Sequence, residues 1–337
     1  MNYKVKRVIL FLFTILITIS GFSEKTDIYN KIFYKPGLHM ELYTDSMFLT
    51  FEYTYIGKYS YMDSNELLRY VWTQDKTLIG GQMYVESNYY THAISSSHAI
   101  GLLQLKPIVA EDFGAHNLFN PIDNITTASL YHDYLNKTLG TEKKQIAGYY
   151  QGPTSVLKNG INSAGSYYYN KVKKAQKKYK NTSVYSPYLI SISGNVKKNY
   201  MNLIANEGFA YKNWEFYSNQ HFEVTTENKF EFNNLEVKFG GFYFPKTNFS
   251  IGAFSDYNLN MDTIARIGYP WAQNVVSFNN NNKILKQIYM SYDFKNNMWM
   301  KFYIDKDFLF ITGISIYDIK LGILFNSSYR IGIFMSL

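Results

Sequence analysis

Ile79, Met83 and Glu86 stand at i, i+4 and i+7, so on an α-helix the Glu86 carboxyl extends an apolar stripe at the helix end. Two effects there raise a carboxyl pKa: desolvation against the core and the negative end of the helix dipole. An acid still protonated near neutral pH is what glycosidic cleavage needs, because the departing sugar oxygen must receive a proton. From spacing alone a solvated glutamate closing a helix is the better reading. Other chemistry-bearing residues are sparse. The chain has no Cys, which removes thiolate nucleophiles, disulfides, Cys-ligated zinc, iron–sulfur sites and a lipid-modified N-terminal Cys. His92, His98, His116 and His132 lack zincin spacing and no Gly-rich phosphate loop is present. His132 on its helix reads as packed or exposed rather than as a ligand. Neither a metal nor a cofactor is expected.

The residues after Glu86 add specificity. They run Ser87-Asn88-Tyr89, then Ala93, Ser95, Ala99-Ile100-Gly101-Leu102-Leu103-Gln104 and Lys106-Pro107. A second block is Tyr149-Tyr150-Gln151-Gly152-Pro153. Asn120-Pro121-Ile122-Asp123-Asn124-Ile125 lies between the two, and Tyr168-Tyr169-Asn170-Lys171-Val172 follows them. Together these four ordered blocks resemble the soluble-type lytic transglycosylase (SLT) family, whose domain is related to goose-type lysozyme. The first block matches without a gap from Glu86 to Gln104, and the four cover about a third of the chain.

The resemblance implies that Glu86 protonates the oxygen between N-acetylmuramic acid and N-acetylglucosamine. Glu86 would then act as base toward the muramoyl C6 hydroxyl, giving a 1,6-anhydro product without water. It also implies that Ser87 and Gln104 orient the acid and line the substrate cleft, and that Tyr149 and Tyr168 are cleft aromatics. Either tyrosine fits core packing as well. No second carboxylate occupies a motif position, as ordinary hydrolysis would require; Glu111 and Asp112 read as a solvated helix turn. His98 stands where the family has Gly, which strains the loop if φ is positive there. Leu103 replaces Met with little change of volume. Tyr150-Gln151 replaces Asn-Ala, turning a small polar cleft floor into a ring and an amide, and Ala164-Gly165 replaces Glu-Thr. These departures leave a competing reading: a non-catalytic cell-wall-binding or outer-membrane protein with a degenerate transglycosylase domain. A hydrolytic muramidase is a further alternative.

The elements that must position these residues are of two kinds. From residue 63 to 182 the texture is helical. Asn120-Pro121 pairs a capping side chain with a first-turn Pro. Ala128, Tyr131, Leu135 and Leu139 share one helical face; Tyr168, Val172, Ala175 and Tyr179 share another. The latter helix ends in Lys173, Lys174, Lys177, Lys178 and Lys180, which complement the dipole or attract an anionic polymer. From 186 to 337 short aromatic-rich runs alternate with Asn, Lys and Asp turns, and the final runs show period two. The expected fold class is α+β: a lysozyme-like helical domain followed by an all-β antiparallel meander or barrel of about ten strands.

Before the helices, 1–23 read as a secretory signal, with Lys4, Lys6 and Arg7 ahead of the apolar run Val8–Ile19. Residues 24–62 form an extension in which Phe48–Tyr55 has alternating, ring-rich strand character, as in a hairpin or an ordered arm. The chain of 337 residues carries a net charge of +8 and is 18% aromatic, with 33 Tyr and 25 Phe. Rings at that density suit aromatic-rich strands, a sugar-binding surface or a membrane-interface girdle. Strands with one apolar and one polar face fit a soluble sandwich or an outer-membrane barrel. Short turns and aromatic richness favour the membrane barrel; the terminal Leu337 and the small size expected of about 150 residues oppose it. Export places the protein in the periplasm or outer membrane of a Gram-negative-type bacterium. Its partner is then peptidoglycan rather than nucleic acid, despite the basic charge.

Overall fold

The computed structural model describes residues 37–44, 49–72, 74–95, 97–197, 200–225, 231–259, 261–267, 274–279, 288–293, 298–304, 308–316, 319–326 and 331–336. The signal-like segment 1–23 lies outside the described residues. Among the described residues two strands come first, β1 (Gly37–Thr44) and β2 (Leu49–Asp63). Seven helices follow: α1 (Ser64–Leu67), α2 (Lys76–Ser87), α3 (Pro107–Phe113), α4 (Pro121–Leu139), α5 (Glu142–Gln151), α6 (Pro153–Asn159) and α7 (Ser163–Lys178). Twelve more strands follow among the described residues: β3 (Ser183–Lys197), β4 (Tyr200–Tyr211), β5 (Trp214–Thr225), β6 (Glu231–Lys246), β7 (Phe249–Asp256), β8 (Met261–Ile267), β9 (Asn274–Asn279), β10 (Ile288–Asp293), β11 (Met298–Ile304), β12 (Phe308–Ile316), β13 (Ile319–Asn326) and β14 (Ile331–Ser336). The architecture is α+β, as the two textures predict.

All the described strands belong to one antiparallel sheet of 14, in the order β10-β11-β12-β13-β14-β1-β2-β3-β4-β5-β6-β7-β8-β9. Its two end strands, β10 and β9, approach within 8 Å from Cα to Cα. The sequence reading sets 24–62 apart as an extension and expects the sheet to follow the helices. Instead β1 pairs with β14 and β2 pairs with β3, so the helical unit is an insertion between two neighbouring strands. The reason lies in β2: Phe51, Tyr53 and Tyr55 supply the cross-strand partners that β3 requires, opposite Gly194, Ile192 and Ile190. The estimate of ten strands is low because short runs such as Asn274–Asn279 carry too little periodic signal.

Burial alternates along β4 to β7. In β5, Glu215 and Tyr217 are buried while Trp214 and Phe216 are exposed; in β6, Phe242 is buried and Tyr243 exposed. The outward set includes Tyr55, Ile190, Ile192, Phe209, Tyr211, Phe239 and Ile251, all exposed. Glu207 interrupts this surface, with Ser218 opposite it on β5. The inward set is apolar near the helical unit, where Leu189, Ala210, Tyr217, Phe242, Phe244 and Phe254 cluster. Farther along it turns polar: Asn219 Nδ2 donates to Asn206 Oδ1 (2.6 Å), and Asn206 Nδ2 to Ser191 Oγ (2.7 Å).

The helical unit has its own core of Ile79, Met83, Ile100, Leu102, Leu103, Ile125 and Leu135, each worth roughly 1.5–3 kcal/mol of burial. Both predicted helical faces are buried in it, through Ala128, Tyr131, Leu135 and Leu139 on α4 and Tyr168 and Val172 on α7. The unit also seats on the sheet. Asn117 Nδ2 donates to Phe244 O (3.0 Å), Leu118 N to Thr247 Oγ1 (2.8 Å) and Thr247 N to His116 O (2.9 Å). The Phe119 ring packs edge-on to Phe244 and stacks on His92. Burial holds the His92 imidazole down at about 3, hence neutral.

Candidate active site

Helix α2 starts at Asp75, whose side chain accepts from Thr77 N (2.8 Å), and ends one residue after Glu86. Asn88 and Tyr89 then take φ of +51° and +62°. Two successive left-handed non-Gly residues are costly, and the Asn88 and Tyr89 amides bond back to Tyr84 O and Met83 O. Between α2 and α7 the backbones pass very close. A Cβ on Gly81 would come within 2.4 Å of Gln176 N, and one on Gly80 within 2.3 Å of the Tyr179 ring. Mid-helix glycines cost about 1 kcal/mol each; here they allow the approach that carries Tyr168 to Glu86.

The Tyr168 hydroxyl donates to Glu86 Oε1. Gln82, four residues before Glu86 on the same helix, donates from Nε2 to the Tyr168 oxygen (2.9 Å) and accepts at Oε1 from His132 Nε2 (2.7 Å). Gln145 Nε2 lies 3.2 Å from His132 Nδ1, which fits a neutral imidazole with its proton on Nε2. Burial holds His132 down to about 4, in keeping with that neutral state. Behind the carboxyl, therefore, runs a buried chain of neutral hydrogen bonds with every donor aimed outward toward Glu86.

Desolvation raises the Glu86 carboxyl to about 7, against the lowering pull of the Tyr168 bond and of Lys171. Lys171 is the charged group that bears on it among the described residues; no second carboxylate does. The Tyr168 and Tyr149 hydroxyls are pushed well above 10 by burial and by Glu86, so both remain neutral donors.

The other sequence-predicted residues hold the wall of the site. Ser87 Oγ donates to Leu102 O (2.8 Å), and Tyr149 OH to Leu103 O (2.8 Å). Gln104 Nε2 donates to Ala93 O (3.1 Å) and Gly101 O (2.9 Å). All three fix the 93–104 segment through its carbonyls. Tyr149 also stacks on His132 at 4.7 Å. Asn124, which the sequence reading leaves without a role, brackets the same segment: it accepts from Leu103 N and donates to Ile100 O and Leu118 O, all within 3.0 Å. Gly101 takes φ +82°, and a Cβ there would meet Asn124 Nδ2 and Leu118 O at 2.2 Å. His98 does adopt a positive φ, +64°, and sits in a turn closed by its own N–H on Ser95 O (3.0 Å).

Tyr150 and Gln151 part company. Tyr150 is exposed and stacks at 5.1 Å on Tyr168, which places a bare ring face beside the acid. Gln151 lies away from the acid: its Nε2 donates to Ser155 Oγ and Gly160 O, and its Oε1 accepts from Asn162 N. The amide thus ties α5, α6 and α7 together. Glu111 and Asp112 are exposed on α3.

An acid poised near neutrality, with one neutral donor, one nearby cation and, among the described residues, no carboxylate partner, is suited to giving a proton and taking one back. Residues 70–178 match the family model described as Transglycosylase SLT domain. The match takes in every residue of this site and indicates a lytic-transglycosylase-type domain, for which peptidoglycan is the implied substrate. The sheet lies outside the matched residues. Within the SLT domain, Gln82 and His132 were missed by motif reading because a buried polar relay has no fixed spacing; Gln82 at i−4 from Glu86, on a stripe otherwise apolar, is its one sequence trace.

Proposed function

We propose that the protein is a peptidoglycan lytic transglycosylase held at the outer membrane by its sheet, closed there as a barrel. The observation that carries the reaction is the Glu86 carboxyl, raised to about 7 by desolvation and, among the described residues, without a second carboxylate beside it. Tyr168 occupies Oε1, so the proton rides on Oε2. That proton passes to the glycosidic oxygen as the bond to the muramoyl C1 breaks. Glu86, now a carboxylate, removes the C6 hydroxyl proton while O6 bonds to C1. The proton returns to the carboxyl and no water enters. A pKa near the working pH suits a group that serves as acid and base in turn. Tyr150 offers its face to a sugar ring.

The membrane reading rests on the exposed rings. Tyr55, Phe209, Tyr211, Trp214, Phe216 and Tyr243 lie on neighbouring strands toward the end that bears the helical unit. With Trp214 and Tyr243 at 4.7 Å and Phe209 and Phe216 at 5.1 Å, they make a continuous outer patch of the kind that lines a membrane interface. Apolar outside and polar inside is the lipid-facing pattern. The end with the SLT domain faces the periplasm, where the substrate is. Digestion of sacculi in oxygen-18 water tests the chemistry: the products should carry no label, whereas labelled reducing ends would indicate a muramidase. No release at all would favour a degenerate, binding-only domain.

A further inference from the structure

The hydrogen bonds behind Glu86 do not stop at His132. Gln145 of α5 directs one amide proton to His132 Nδ1 (3.2 Å) and the other to Gln74 Oε1 (2.9 Å). Gln74 Nε2 in turn donates to Asp133 Oδ1. Gln82, His132 and Gln145 are buried, while Gln74 and Asp133 stand half-buried at the outer end.

Each link dictates the next. A carboxylate only accepts, so Gln74 must turn its NH2 group to Asp133 and its carbonyl oxygen to Gln145. Gln145 then presents its own NH2 group to His132 Nδ1, which leaves the single imidazole proton on Nε2. That proton needs an acceptor, so Gln82 offers Oε1 to His132 (2.7 Å) and Nε2 to the Tyr168 oxygen (2.9 Å). With a proton already arriving at that oxygen, the Tyr168 hydroxyl donates onward, to Glu86 Oε1. Turned round, Gln82 would face Tyr168 with its carbonyl and draw the hydroxyl away from the acid. Among the described residues, the titratable groups bearing on Glu86 are Tyr168 and Lys171 of α7 and Tyr149 of α5. Those facing His132 are Asp133 of its own helix and Tyr149, whose ring stacks on it. Burial holds His132 down to about 4, so it keeps one neutral tautomer while Glu86 titrates near 7.

Resting on the reading of Glu86 as the catalytic acid, we infer that Gln82 and His132 are positioning residues that fix the direction of the Tyr168 hydroxyl. The hydroxyl thereby binds one oxygen of Glu86 and leaves the other for the substrate. Bonds aligned in one direction polarise one another, so the relay strengthens the support that Tyr168 gives the carboxylate. Breaking it leaves the proton held more tightly on Glu86.

Full-length protein in detergent, carrying carbon-13 at the Glu carboxyls and nitrogen-15 in the His rings, is titrated by NMR and assayed on sacculi across pH. Loss of signal in Glu86→Gln and His132→Leu identifies the two groups. Gln82→Met should raise the Glu86 midpoint and the basic limb of the pH–rate profile by about half a pH unit. It should also lower kcat about three-fold with KM unchanged. In a Tyr168→Phe background the same substitution should move neither midpoint nor limb. Gln82→Met strands the His132 proton and should lower the melting temperature. Gln82→Met/His132→Leu removes both partners, so it should regain the melting temperature and keep the shifted midpoint. The assignment is overturned by an unmoved midpoint in both variants, or by one that returns with the melting temperature. An equal shift with and without Tyr168, or an imidazole proton on Nδ1 in the unmodified protein, also overturns it. If the unmodified protein releases nothing from sacculi, the reading of Glu86 as the acid fails. The NMR titrations then decide the relay by themselves, on the same outcomes.

Discussion

At the scale of single residues, the site turns on how Glu86 holds its proton. Its carboxyl binds a proton more tightly folded than unfolded, about 7 against an ordinary value of 4.5. Between those values the folded state carries more proton, so stability falls as pH rises through that window. Glu86→Gln removes the penalty. At pH 8 the SLT domain should gain about 1–3 kcal/mol, discounted for part exposure, and the gain should vanish near pH 4; thermal melts across pH check this. Tyr168→Phe acts in the opposite sense. Losing its hydroxyl removes a bond that lowers the Glu86 value, so the basic limb of the pH–rate profile should move upward while kcat drops about ten-fold or more. An unmoved profile would mean that Tyr168 only packs. Glu86 and Tyr168 are legible only through the resemblance, which rests on blocks in a fixed order; helical spacing by itself singles out neither. Gln82 and His132 are not legible: their partners come from helices 50 and more residues apart.

At the scale of elements, the geometry depends on how closely α2 and α7 approach. Gly81→Ala should force them apart, lowering the stability of the helical unit by about 1–3 kcal/mol and lengthening the Tyr168–Glu86 bond. The predicted signature is a lower melting temperature together with a pH profile shifted in the Tyr168→Phe direction. A lower melt with an unchanged profile would separate packing from catalysis. The 93–104 wall works differently, pinned by Ser87, Gln104, Asn124 and Tyr149 through backbone carbonyls. Helices α4 and α7 are legible from their apolar faces, and α4 also from its Asn120-Pro121 start; the shorter helices carry too little periodic signal. Gly80 and Gly81 are not legible, since a glycine in a helix announces close approach only when its neighbour is known. Tyr150, whose ring takes the place of a small polar residue at the cleft floor, stands exposed beside Tyr168. The substitution changes the surface offered to substrate without removing the acid.

At the scale of the whole molecule, the chain threads its catalytic unit into the sheet rather than ahead of it. Local periodicity shows that strands exist but not which strands pair, so β1 and β2 could not be assigned to the sheet from sequence. The insertion ties the SLT domain at both ends, to Asp63 and Ser183, and the contacts of Asn117 and Leu118 with Phe244 and Thr247 add a third hold. The candidate site is thereby kept within a short reach of the sheet's rim. Because the chain has no Cys, single cysteines report their surroundings cleanly. In lipid vesicles an environment-sensitive dye at Phe239→Cys, on the outer face, should emit as in hydrocarbon, and one at Asn206→Cys, on the inner face, as in a polar medium. The reverse pattern would make the sheet a soluble domain.

The most direct measurement is the mass spectrum of muropeptides released from purified sacculi by the full-length protein and by Glu86→Gln. The account predicts 1,6-anhydromuramoyl ends, one water lighter than reducing ends, from the unmodified protein and none from Glu86→Gln. Anhydro products persisting in Glu86→Gln, or reducing ends from the unmodified protein, would contradict it.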